Sequence, residues 1–270
     1  IEECNKIETL SVPKTVETVT VYRNENMTGL IFPENIKNIT ITNCDKIEKL
    51  SIPNGAENIS ITSTDMLSEL SLPEKVKTIT IDNCHAMESL SVLTGTEEVT
   101  ATHNSCLAEL NLAEGVKTVY VNECDVMQKL VIPAGAQGVT VANCDELAEL
   151  VLPEGIKDVH IDVESFCYSP QFNVPEGIEN LTLIHSYYEN LDWLKAKNVT
   201  IRGCNAIEAL NTPAGVETVN IESCEELAEV NFAEEIKSIT ISDSDKIRML
   251  NVPIGVESLH SNIYGLEQLN

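Results

Sequence analysis

The stretch IKNITITNCDKIEKLSIPNG, Ile36 to Gly55, is followed by AENISITSTDMLSELSLPEK and then by VKTITIDNCHAMESLSVLTG, a repeat of twenty residues. A period this short constrains the fold strongly. One unit cannot bury its own apolar residues, so it must stack on copies of itself. The unit opens with apolar-x-x-apolar-x-apolar-x-x-Cys/Asn/Ser, as in Ile36-Ile39-Ile41-Cys44, Val76-Ile79-Ile81-Cys84 and Val116-Val119-Val121-Cys124. A second apolar half-unit follows, typified by Ile47-Leu50-Ile52-Pro53. Both halves alternate with period two and are rich in Ile, Val and Thr, which predicts strand. Pro53 and Gly55 mark the corner after it: Pro ends the strand by lacking a donor, and Gly turns tightly. No run between the halves is long enough for an α-helix of ordinary length. The expected architecture is a single solenoid over residues 1–270, with about 13 rungs of ~20 residues. Its rungs stack into parallel sheets at roughly 4.8 Å per rung.

One polar column carries a rule of its own. Down the stack it reads Glu17, Lys37, Glu57, Lys77, Glu97, Lys117, Gln137, Lys157, Glu179, Lys197, Glu217, Lys237, Glu257. Exposed opposite charges on neighbouring rungs attract by about 0.2–1 kcal/mol per pair. A slip of one rung would bring like charges together, so the column reads as a structural charge ladder that also holds register. Cys4, Cys44, Cys84, Cys124 and Cys204 keep the same beat of forty. The duplicated unit is therefore read as a pair of rungs. The chain has nine cysteines, an odd number. Column neighbours forty residues apart would lie roughly 10 Å apart, beyond disulfide reach. Only Cys124–Cys144 and Cys204–Cys224 fall on adjacent rungs. The column is expected to hold buried thiols that pack as small hydrophobes.

The run CDKIEKLSIPNGAENI, Cys44 to Ile59, resembles bacterial BspA-type leucine-rich repeats, with their C-x-x-L-x-x-L-x-I-P-x-x-V-x-x-I pattern. The first half-unit is similar to the L-x-x-L-x-L-x-x-N/C core of leucine-rich repeats generally. The resemblance covers almost all of the chain, with a unit about three residues shorter than the BspA type. It implies a β-rich solenoid of the α/β class, a leucine-rich-repeat-like right-handed superhelix with parallel β-sheets and very little helix. It also implies a bacterial cell-surface or secreted protein with an adhesion or host-interaction role. A cytoplasmic location is the alternative that reduced cysteines suggest.

The formal charge of −26 repels nucleic acid and anionic membranes, so neither is expected as a partner. No stretch approaches eighteen consecutive apolar residues, and no membrane insertion is expected. Phosphate loops, HExxH and nucleophile elbows are absent from the sequence, which predicts no enzyme and no cofactor. The expected function is protein binding by a monomeric scaffold, with a structural spacer or a metal protein as the alternatives. Asp158, His160 and Asp162 in DVHID are ligand types on one side of a strand. A solvated polar face is the expected reading, because one strand seldom supplies a full metal shell. The rhythm itself slips once. The rung from Ile156 to Pro175 is two residues too long and the next two too short, so rungs 156–198 are irregular. Phe166, Tyr168, Phe172, Tyr187, Tyr188 and Trp193 gather there. Insertions in repeat arrays map to loops, and Tyr and Trp favour interfaces. Tyr187, Tyr188 and Trp193 are the expected contact residues, with Phe166 and Tyr168 beside them.

Overall fold

The computed structural model describes residues 1–163 and 169–270. The chain forms two compact units: Ile1–Ala136 with Asn143–Val151, and Gln137–Ala142 with Leu152–Asn270. In the first, the five-residue strands Thr18–Tyr22, Asn38–Thr42, Asn58–Thr62, Thr78–Asp82, Glu98–Thr102 and Thr118–Asn122 build one parallel sheet. Each residue pairs with its repeat mate, as in Ile41↔Ile61↔Ile81. Alternation sends every second side chain inward, so Val21, Ile41, Ile61, Ile81, Ala101 and Val121 form a ladder no more than 1 % exposed. Burying each such side chain contributes about 1.5–3 kcal/mol, and most of that arises only when the next rung covers it.

The second unit uses Gly138–Ala142, Asp158–Asp162, Ile178–Ile184, Ala196–Arg202, Thr218–Glu222, Ser238–Ser242 and Ser258–Asn262 in the same way. The slip in rhythm appears here as register. Val159 pairs with Leu181, Leu181 with Val199, and Val199 with Val219. The two strands that absorb the slip lengthen to seven residues. No helix occurs among the described residues.

The second half-unit departs from the expectation of a sheet like the first. Its strands are short, and those within the first unit pair two by two: Thr9–Ser11 with Gly29–Ile31, Lys49–Ser51 with Glu69–Ser71, Ser89–Val92 with Glu109–Leu112, and Lys129–Val131 with Glu149–Val151. In the second unit, Ala209–Asn211 pairs with Glu229–Asn231 and Met249–Leu250 with Gln268–Leu269. Successive pairs thus repeat every forty residues, the beat of the charge and cysteine columns. Ser68 and Glu69 N–H both donate to the Glu48 carbonyl, and Ala108 and Glu109 to that of Glu88. The intervening junctions lack this bond among the described residues.

Two corner columns hold the rungs together. Arg23, Asn43, Ser63, Asn83, His103, Glu123 and Asn143 adopt φ between 48 and 55°. This left-handed turn aims each N–H at the next rung, as from Asn43 to Thr62 C=O (3.1 Å) and Ser63 to Asp82 C=O (2.9 Å). Asn tolerates that conformation best among non-glycine residues. One residue on, Asn24, Cys44, Thr64, Cys84, Asn104 and Cys124 are fully buried. Asn104 accepts the Cys84 N–H at 2.9 Å and donates to the Ile81 carbonyl at 2.9 Å. Asn24 accepts the Cys4 N–H at 2.9 Å. The sulfurs of Cys44, Cys84 and Cys124 take the N–H groups of Asn24, Thr64 and Asn104 in the same manner. The cysteines are therefore more than small hydrophobes. They are acceptors for the rung before them, which is why Asn, Cys and Ser alternate in one buried column. Burial pushes the Cys84 thiol up to about 12.

The charged column resolves into short clusters. Glu57 sits between Lys37 (2.7 Å) and Lys77 (2.5 Å), and Glu217 between Lys197 (3.3 Å) and Lys237 (2.7 Å). Glu97 pairs with Lys117, and Lys157 with Glu179, both at 2.8 Å. Glu17 and Glu257 join their lysines through the backbone: Lys37 N–H donates to Glu17 C=O at 2.7 Å and Glu257 N–H to Lys237 C=O at 2.8 Å. Hydrogen bonds from Lys37 and Lys77 draw the Glu57 carboxyl from 4.5 down to about 2. A carboxyl depressed in the folded state stabilises above its unfolded value and loses that stabilisation as pH falls through the folded one. Glu57 should thus titrate by NMR near pH 2, and Lys37→Met with Lys77→Met should return it toward 4.5.

Candidate functional site

The irregular rungs make the most distinctive local structure in the second unit. Phe172, Tyr188 and Trp193 pack edge to face, with ring centroids 5.0 to 6.0 Å apart. Such ring pairs contribute about 0.5–1.5 kcal/mol beyond their area. Leu191 and Leu194 lie buried in the same segment. Tyr188 Oη donates to the Pro170 carbonyl at 2.6 Å, and Tyr187 N–H donates to Ser169 Oγ at 2.7 Å. Burial pushes the Tyr188 phenol above its ordinary value. The three rings thus fill the space left by the altered rung length. Tyr187 points outward and is 45 % exposed, while Trp193 is half-buried. Phe166 and Tyr168 lie outside the described residues.

Asp158, His160 and Asp162 do share the outer face of one strand. Their partners lie on the next rungs. Asp158 accepts from Asn180 Nδ2 at 2.6 Å, and Asp162 lies 3.2 Å from His185 Nδ1. Burial lowers the His160 pKa, against the pull of Asp162. Among the described residues no three His, Cys, Asp or Glu side chains converge as a metal would require. Asn180 also accepts from Asn198 at 2.8 Å, and Asn58 donates to Asn38 at 2.8 Å. These amides form ladders beside the charge ladder.

Sequence reasoning missed two features of the first unit. His103 bridges two carboxylates: its Nδ1 is 2.8 Å from Asp82 Oδ1, and its Nε2 is 3.5 Å from Glu123 Oε1. The hydrogen bond to Asp82 leads in raising its pKa, with Glu123 adding to it. The signal was present: Asp82, His103 and Glu123 stand about one rung apart at one corner. The second feature is a cavity of about 610 Å³ between Glu109–Leu112 and Lys129–Val131, where two rung pairs abut. Leu110, Leu112, Val126, Val131 and Pro133 line it. It depends on the pairing break, which no single residue announces.

The comparisons with known proteins agree with this geometry. Residues 2–113 match the model of the BspA type leucine rich repeat region, in six copies. A leucine-rich repeat protein from Bacteroides ovatus is similar in structure, with a TM-score of 0.54 and 14 % identity, over 94 % of this chain and 81 % of that one. No curated protein matches. Residues 2–113 are therefore BspA-type leucine-rich repeats, and the fold of the chain is that of a leucine-rich repeat protein.

Proposed function

We propose that residues 1–270 act as one scaffold that binds another protein without catalysis, at a bacterial cell surface or after secretion. The observation that carries this reading is the run of BspA-type repeats over residues 2–113. A stacked array suits binding because its exposed columns present an extended, rigid surface at little cost in conformational entropy. Adhesion to host surfaces is the specific role proposed, with Tyr187 and the exposed edge of Trp193 as contact residues. Both sit where the backbone departs from the repeat, so their rings are not needed for stacking elsewhere. Phe172 and Tyr188 support them from beneath.

The test is binding of the immobilised chain to purified extracellular-matrix proteins, followed by the Tyr187→Ala variant. Binding that falls at least tenfold in Tyr187→Ala, with unchanged circular dichroism, supports the reading. Equal binding by Tyr187→Ala and by Trp193→Ala removes this patch. No retention of any matrix protein supports the spacer role instead.

A further inference from the structure

We infer that Cys204 and Cys224 are a latent dithiol site: a small disulfide exchanges with Cys204, and Cys224 then closes a disulfide between adjacent rungs. The two residues share the buried corner column of the second unit, and both are fully buried. Their strands pair in parallel with Arg202 opposite Glu222, and Gly203 N–H continues the register to the Glu222 carbonyl at 2.9 Å. Parallel neighbours stand about 4.8 Å apart. That lies inside the Cα separation a disulfide spans, roughly 4.4–6.8 Å. The two thiols are close enough that each shifts the other's titration. Most other cysteines of the column are separated from the next by a rung bearing Asn or Thr, so they have no such neighbour.

The surroundings divide the work between the two sulfurs. Cys204 Sγ lies 3.0 Å from Ser186 Oγ. The Cys224 thiol and then Ser186 stabilise its thiolate, which lowers its pKa although burial opposes this. Cys224 is held above its ordinary value by the neighbouring Cys204 and by burial. Cys204, with the Ser186 hydroxyl beside its sulfur, is thus the attacking sulfur. Its thiolate displaces one thiolate from the small disulfide, giving a mixed disulfide. Cys224 then loses its proton and attacks the Cys204 sulfur, displacing the second thiolate. Two electrons pass from the protein thiols to the small disulfide, which leaves as two thiols carrying the two protons. Cys124 and Cys144, the other adjacent pair, follow Glu123 and Asn143 at their corners where Cys204 follows Gly203, so their corners open less readily and that pair reacts more slowly.

Access comes through local opening of the corner. Gly203 is the one glycine among the described residues of the left-handed column, with φ +60°. The His185 ring occupies the place of its missing side chain, where a Cβ would lie 2.6 Å from Cδ2. The corner also borders the irregular rungs, whose repeat offset is eighteen residues.

The test uses the full chain carrying Cys106→Ser, because Cys106 is exposed and would react first. It is incubated with oxidised glutathione at pH 7.5 and mapped by mass spectrometry without reduction. The expected product is a Cys204–Cys224 cross-link with two hydrogens fewer, formed at least tenfold faster than any Cys124–Cys144 link. Cys224→Ser should accumulate glutathione on Cys204, and Cys204→Ser should leave Cys224 unmodified over the same time. Serine already serves this column at Ser186 and Ser244, so both variants keep an acceptor there, and circular dichroism confirms their fold. Glutathione retained on Cys204 in the parent chain without a cross-link overturns the inference, as does a Cys124–Cys144 link that forms first. The parent-chain result decides the matter even where a variant misfolds, and it does not depend on the proposed binding role.

Discussion

Gly95→Ala is expected to destabilise the first unit by about 2–4 kcal/mol, from left-handed backbone strain combined with a steric collision. Gly95 adopts φ +100°, a conformation that L side chains rarely take. A Cβ there would lie 2.7 Å from Lys75 Cα, and that atom is backbone that cannot swing aside. The contact falls at a junction between rung pairs, where Lys75 N–H also donates to the Thr94 carbonyl at 2.9 Å. Gly115→Ala provides the comparison. Its φ is +103°, but the nearest atom to its Cβ is 4.0 Å away. It should lose only about 1–2 kcal/mol, the cost of the left-handed backbone alone. Urea denaturation of both variants checks this. Equal losses would show that the rung pairs do not press together at Gly95.

Asn104→Val is the second large effect expected, a loss of about 2–5 kcal/mol, because two buried backbone groups lose their partners at about 1–3 kcal/mol each. The Cys84 N–H and the Ile81 carbonyl both depend on the Asn104 amide. Valine offers neither donor nor acceptor. Asn104→Cys should lose less than Asn104→Val, because sulfur accepts weakly and cysteine already fills this role in Cys44, Cys84 and Cys124. The midpoints of urea unfolding should rank parent, Asn104→Cys, Asn104→Val. A smaller loss in Val than in Cys would mean that burial, and not hydrogen bonding, governs the column.

His103 ties the same corner to pH. Its pKa is raised, so its contribution to stability is present below the unfolded value of about 6.5 and is lost as pH rises through the folded one. The His103 ring signal in NMR should titrate above 6.5, and Asp82→Asn should lower it.

The fold was legible because strand period and stacking are both encoded at fixed spacing. Ile39, Ile41, Leu50 and Ile52 announce two strands per rung, and all four are buried. The slip at Ile156 was legible too, since the offset of twenty-two and then eighteen residues can be counted. The corner geometry was harder to see. Arg23, Ser63, His103 and Glu123 adopt the same left-handed φ as Asn43 and Asn83, because the bond to the next rung overrides residue preference. The pairing of the short strands was half legible. Charges and cysteines gave the beat of forty, but the broken hydrogen-bond ladder is a property of backbone geometry that side chains do not spell. At the candidate site, Phe172, Tyr188 and Trp193 were visible as a cluster in sequence. That Tyr187 alone of the two tyrosines faces outward follows from packing around the irregular corner.

The structural unit of the first unit's short-strand face is a pair of rungs. Amide hydrogen exchange in the first unit tests it most directly. The N–H groups of Glu69, Glu109 and Glu149 donate to the rung before them, whereas those of Lys49, Ser89 and Lys129 face the junctions and have no such bond among the described residues. Exchange is expected to be at least tenfold slower for Glu69, Glu109 and Glu149 than for Lys49, Ser89 and Lys129, after correction for intrinsic rates. Equal protection at all six, repeating every twenty residues, would contradict it.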